Sequence, residues 1–273
     1  MVRFRVLLTA ALCWAGLHYL ALAPFRSGAH SEPVLLTGTS IPAVSALLAT
    51  LVVAATAWLV RMLGARPGSL EPIVAVAIGM AVLAMPGGTM DHYLTDVLTR
   101  ADAPAGPAYW RLCAEYVAML VVCCVLLRIG GFWPARMAGA ALRSSVGSQV
   151  AALLVTVVVA AVGIWVLSGP RVGETYRGQV FFAVYASFAA GAYAVGYATP
   201  VRAPLPYLVA PLLLGVIGAV HAAVGGRLPA GYEHLNNIPV TALVRGLPIE
   251  TVALGWLGVA SVLAARRATG PVG

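Results

Sequence analysis

Residues 72–86 read PIVAVAIGMAVLAMP, and the reading of this stretch decides the topology of the whole chain. It carries no charge. Ser69 and Pro72 are good helix-start residues, and Pro86-Gly87-Gly88 stops the pattern. The run falls short of the about 20 residues that a helix needs to cross about 30 Å of hydrocarbon. Seven longer apolar runs surround it, at 6–23, 42–60, 109–128, 149–167, 179–198, 204–224 and 249–265. The chain therefore spans a bilayer eight times if 72–86 crosses, and seven times if it does not.

Arginine placement favours eight. With eight crossings, Arg3, Arg5, Arg61, Arg66, Arg128, Arg136, Arg143, Arg202, Arg266 and Arg267 share the side of the N-terminus. That is ten, against six opposite: Arg26, Arg100, Arg171, Arg177, Arg227 and Arg245. Dropping the 72–86 crossing narrows the split to nine against seven. Basic residues collect on cytoplasmic loops, so both termini are expected in the cytoplasm.

Composition agrees with a membrane solvent. Of 273 residues, 61% are hydrophobic and 10% charged, with a mean hydropathy of +0.92. Soluble domains hold about 25% charged residues. All 17 basic residues are arginine, which excludes a Schiff-base lysine and a P-loop. The arginine, alanine and glycine bias reads as a GC-rich genome, and the expected location is the inner membrane of a bacterium. The net charge of +8 is an orientation signal, not a nucleic-acid signal. Cys13, Cys113, Cys123 and Cys124 all lie in apolar runs without CxxC spacing, so neither a disulfide nor a zinc site is expected. The N-terminal run imitates a signal peptide, but Pro24 follows Ala21-Leu22-Ala23 and the run reads as an uncleaved first helix.

Within the spans, Ala183, Ser187 and Gly191 form a small-residue stripe, and Ala186, Ala190 and Ala194 a second. Small residues let helices approach closely in lipid, which predicts a central place for this helix. Tyr185, Tyr193 and Tyr197 on it are candidates for a cavity wall or for interfacial packing. Pro211 lies inside another run and predicts a kink.

The segment 87–102, GGTMDHYLTDVLTRAD, concentrates acid in a chain with little of it. Met90, Tyr93, Leu94, Val97 and Leu98 fall on one helical face, Thr89 can cap it, and Asp91 sits where the helix dipole favours an anion. It reads as a short amphipathic helix on the outer membrane surface. His92 and Asp96 share its polar side. A second outer loop follows Gly225-Gly226 and holds Glu233-His234, then Val240, Leu243 and Val244 at helical spacing.

The two loops suggest an internal repeat within a single domain, 1–273. Pro72 precedes Ile78-Gly79 as Pro211 precedes Ile217-Gly218, and a carboxylate enters the next helix each time, Glu115 and Glu250. Residues 1–128 and 149–267 read as two parallel four-helix halves, with a site expected between them.

Charges within the apolar runs are the candidate site. Arg111 and Glu115 are four residues apart on one helix and can pair. His18 and His221 lie at a similar depth on other helices, and Tyr193 is a further candidate for binding a ligand or ion. His92, Asp96, Glu233 and His234 could hold a divalent metal at the outer face. No HExxH, GxSxG or GxGxxG motif accompanies them, and no catalytic set is assigned. The all-α polytopic bundle fits a transporter or permease component for a small solute or ion, with an outward-facing polar site. It also fits a structural or assembly subunit among other membrane subunits. An outer-face metal enzyme or sensor is a third reading.

Overall fold

The computed structural model describes residues 2–25, 34–36, 38–66, 68–101, 106–132, 145–168, 177–198, 204–225 and 241–269, the side chains of 96–101, 198, 268 and 269 excepted. Nine α-helices are described: α1 (Val2–Gly16), α2 (Pro42–Met62), α3 (Glu71–Ala84), α4 (Met90–Ala101), α5 (Gly106–Gly130), α6 (Val146–Ser168), α7 (Arg177–Ala198), α8 (Leu205–Gly225) and α9 (Pro248–Thr269). α1 continues through a π-helical turn, Leu17–Leu22, into Ala23–Phe25. Seven of these segments are long and apolar enough to cross a membrane, and α3 is the shorter apolar helix.

Hydrogen bonds at the two ends of the bundle fix the path of the chain. At one end, Arg5 near the start of α1 donates to the Leu63 carbonyl just past α2 and to Glu71 at the start of α3. Arg61 donates to the Ile129 carbonyl near the end of α5, and Arg267 of α9 donates to the Gly68 carbonyl. At the other end, Arg177 at the start of α7 donates to carbonyls of Met85, Gly87 and Gly88 beyond α3, and to Glu250 at the start of α9. Arg245 donates to Ser168 at the end of α6. So α3 runs from the first end to the second, and the chain traverses the bundle eight times.

A helix of 14 residues rises only about 21 Å. It can be that short because it is enclosed by protein. Pro72, Ile73, Ala75, Val76, Ala77, Gly79, Met80, Ala81, Leu83 and Ala84 are all buried. Neighbouring helices reach both of its ends, Arg5 of α1 at Glu71 and Arg177 of α7 at the Met85 carbonyl.

Small residues set the close contacts. A Cβ at Gly79 would stand 2.8 Å from Cys13 Cβ and 3.0 Å from the Ala10 carbonyl, so α1 and α3 touch through bare backbone. Gly191 meets Thr156 of α6, and Gly163 of α6 meets Ser187. The stripe Ala183, Ser187 and Gly191 is thus buried against α6, as its composition predicts. The position of α7 is different from the expected one. It packs on α6 and α9 at the rim, with Phe182, Tyr185, Tyr193 and Tyr197 exposed. The centre is taken by α3 and by α9, whose Trp256 is fully buried and donates to the Leu208 carbonyl at 2.9 Å. Pro211 does not end its helix: α8 is continuous through it, and its ring packs at Gly255 of α9.

Each half shows the same pairings. α1 packs on α2 and α3, α2 on α5, and α3 on α5; α6 packs on α7 and α8, α7 on α9, and α8 on α9. Between them α3 packs on α9 and α5 on α8. Exchanging the first four crossings for the last four maps each of these pairs onto another. α2 also packs on α3, more closely than α7 on α8.

Trp58, Trp110 and Trp165 are exposed within about one turn of a helix end, and Tyr19 and Tyr197 are exposed near others. Amphipathic rings at both ends mark two interfacial belts. α4 lies across the second end. Met90, Tyr93 and Leu94 are buried, and the Tyr93 hydroxyl donates to the Ala108 carbonyl at 2.8 Å, so this helix is docked on the bundle. In the second outer loop the described part is a short 3-10 turn, Ala242–Val244, capped by Thr241.

Candidate functional site

α5 buries Ala108, Leu112, Glu115, Met119, Val122 and Leu126 on one stripe at steps of three and four. Glu115 belongs to that stripe by position, so an acidic side chain is carried into the core. It is fully buried. Its Oε1 accepts the Leu36 backbone N–H at 2.7 Å. Leu36 belongs to a non-helical strap, Val34–Leu36, that is itself buried between α1 and α2.

Beside the carboxyl lies a cavity of about 20 Å³, enough for one water. Its walls include Leu17, Val53, Met80, Leu83, Met119 and Ile249, and Glu115 is its only ionisable wall residue. Hard metal cations take about six or more oxygen ligands, and this lining does not offer them. The surface that faces the cavity is apolar, so its size alone does not mark a water, and the ionisable group beside it is the Glu115 carboxyl. All wall residues except Ile249 come from the first half, so the cavity lies within one half and not midway between the two.

A second buried carboxylate, Glu250, stands in the first turn of α9 and is 2% exposed. Its surroundings differ. Arg177 gives it two bonds, Nε at 3.0 Å and Nη2 at 2.8 Å, and the Leu247 N–H donates to Oε2 at 2.9 Å. Its charge is neutralised in place. Tyr116, next to Glu115, is buried with its ring against Gly215 of α8.

The other sequence candidates lie apart from the cavity. Arg111 is exposed near the start of α5, one turn from Glu115 and on the flank of the buried stripe. The long stem lets its guanidinium reach the rim. Around it, burial pushes the Tyr93 phenol up and the Arg111 charge pulls it down. His18 stacks on Trp14 with ring centroids 5.9 Å apart, while its neighbour Leu17 faces the cavity. His221 is exposed near the end of α8. Tyr193 is exposed at the arginine-rich end, its hydroxyl 2.7 Å from that of Tyr197. His92 is exposed and bonds to the Thr89 hydroxyl at 2.8 Å. The Asp96 side chain, Glu233 and His234 lie outside the described residues, and among the described residues no three His, Cys, Asp or Glu groups converge as metal ligands.

Neither protein-family models, nor curated proteins, nor solved structures give a match to this chain. What can be stated from the fold is the class: a polytopic α-helical membrane protein.

Proposed function

We propose that this protein is a proton-coupled transporter of a small solute, with Glu115 as the group that takes up and releases the proton. The observation that carries this reading is a fully buried carboxyl on a membrane-crossing helix, at the wall of a water-sized cavity. Ionisable groups within membrane-crossing helices are costly, by up to about 2.5–3.5 kcal/mol on insertion scales, and usually mark an ion or proton path. Two further features support it. Most contacts among α1, α2, α3 and α5 recur among α6, α7, α8 and α9, and on that pairing Glu115 and Glu250 lie on corresponding helices, α5 and α9. Repeats of this kind provide two bodies that can rock against each other around a site. The arginine-rich end faces the cytoplasm on the same reading, which puts the Glu115 end outside.

The test is proton movement into liposomes that hold the purified protein and a pH-sensitive dye, driven by an imposed potential with a panel of small solutes supplied outside, because a coupled carrier moves its proton together with its solute. The parent protein should acidify the lumen, and Glu115→Gln should slow this by at least about tenfold, as the loss of an essential proton carrier does. Parent vesicles that pass no more protons than empty liposomes, or a Glu115→Gln variant as fast as the parent, would sink the reading.

A further inference from the structure

Arg177 uses all five of its N–H groups. Nε and Nη2 reach Glu250 Oε1, Nη1 donates to the carbonyls of Met85 and Gly87 at 2.6 Å each, and Nη2 donates to Gly88 at 3.0 Å. Arg has no further donor to give. One guanidinium thereby joins the start of α7, the end of α3 and the start of α9. Its side chain is 22% exposed and that of Glu250 3%, so the clamp stands at the boundary between water and core.

The elements it ties are walls of the Glu115 cavity. Leu83 on α3 and Ile249 on α9 both line it, and Leu83 is two residues from Met85 while Ile249 adjoins Glu250. Holding Met85–Gly88 against Glu250 therefore holds those two walls together. Separating α3 from α9 at this end requires the guanidinium to leave one of them. The turn it grips is Met85-Pro86-Gly87-Gly88, three of whose four carbonyls are taken by a single side chain. Its release would free them at once.

The geometry points to Arg177 as the latch of a gate that closes the Glu115 cavity toward the end opposite the arginine-rich one. This rests on reading that cavity as the transport site. The latch works by differential contact. The closed state has charge-assisted hydrogen bonds that the open state lacks, either the three to the Met85–Gly88 turn or the two to Glu250, and substitution of Arg177 shifts the population toward open.

The experiment is cysteine accessibility. Leu83→Cys is placed in a chain in which Cys13, Cys113, Cys123 and Cys124 are replaced by alanine. Sealed membrane vesicles of either orientation are treated with a charged, membrane-impermeant thiol reagent. With a minor open state of about 1–10%, the added substitution Arg177→Met should speed labelling by about tenfold or more, and only from the Arg177 side. Glu250→Gln, which keeps the shape and removes the ion pair, should act in the same direction. Unchanged labelling in both variants would overturn the latch. So would faster labelling from both sides, which marks a general strut and not a gate. Should Arg177→Met fail to fold, Glu250→Gln decides; a chain that folds with neither change is held together by the pair, and the gate is likewise overturned. The labelling needs no proton flux. A normal flux result with unchanged labelling removes the latch alone, while faster labelling with no Glu115-dependent flux removes the transport reading alone.

Discussion

At the residue scale the bundle depends on where side chains are missing. Gly79 is the sharpest case. Its neighbours across the α1–α3 contact are the Cys13 side chain at 2.8 Å and the Ala10 carbonyl at 3.0 Å from where a Cβ would be. Neither the Cys13 Cβ nor a helix carbonyl can rotate away, so Gly79→Ala must push α1 and α3 apart. The expected loss is about 1–3 kcal/mol, the usual cost of overpacking. Gly178 has nothing within 4 Å of its would-be Cβ, so Gly178→Ala should leave the melting temperature unchanged. Melting both variants in the same detergent checks this; equal values would mean that α1 and α3 do not pack this closely. Glu115 was legible as a carboxylate inside an apolar run, and the structure puts it in step with buried Leu112, Met119 and Val122. Its cavity was not legible. The Leu36 N–H comes from 79 positions away, and Arg177 meets Glu250 across 73. Local pattern carries no information on such pairings. The Arg111–Glu115 spacing predicted a pair on one face, yet one turn of helix separates an exposed rim from a buried wall.

At the scale of elements, hydrophobic periodicity found the crossings and misjudged their surroundings. α7 was expected at the centre because of its small residues. Those residues serve one close contact with α6, while its aromatic side faces outward. Small residues report that a helix has a near neighbour, not that it has neighbours all round. α4 shows the reverse. Its apolar stripe reads equally well as a membrane-surface helix or as a docked one, since either medium rewards the same face. The structure settles it through Tyr93, which is 5% exposed and bonded to Ala108 at the start of α5. Tyr93→Phe removes that hydroxyl and leaves a carbonyl short of a partner. The expected cost is about 1 kcal/mol, borne locally. Amides of 90–101 should exchange with deuterium several-fold faster in the variant, at roughly fivefold for that energy. Exchange at the parental rate would show that the helix is held by its apolar face alone.

At the scale of the whole molecule, a short helix decides which side each terminus is on. The seven long helices alone would put the N- and C-terminal ends of the bundle on opposite sides. α3 adds the eighth traverse, and two contacts fix it: Arg5 with Glu71 at its start, and Arg177 with Met85 and Gly87 beyond its end. The same arginine-rich end that holds Arg5 of α1 also receives Arg267 of α9, through the Gly68 carbonyl at 3.1 Å. Gly68 takes a positive φ of 73° there and donates to the Gly130 carbonyl, so three chain segments meet at one turn that favours glycine. Reporter domains fused at residue 1 and at residue 273 should therefore be active on the same side of the membrane. By the positive-inside rule that side is expected to be the cytoplasm. A reporter that folds only in the cytoplasm should fluoresce at both positions, and one that works only outside should be silent at both. Opposite sides for the two fusions would mean that α3 is a hairpin arm that turns back, and the clamp of Arg177 on its far end would then have no place to form. A shared side with the exterior reporter active would keep all eight traverses and invert only the orientation, because the hydrogen bonds fix which ends meet and the arginines alone say which of them faces inward.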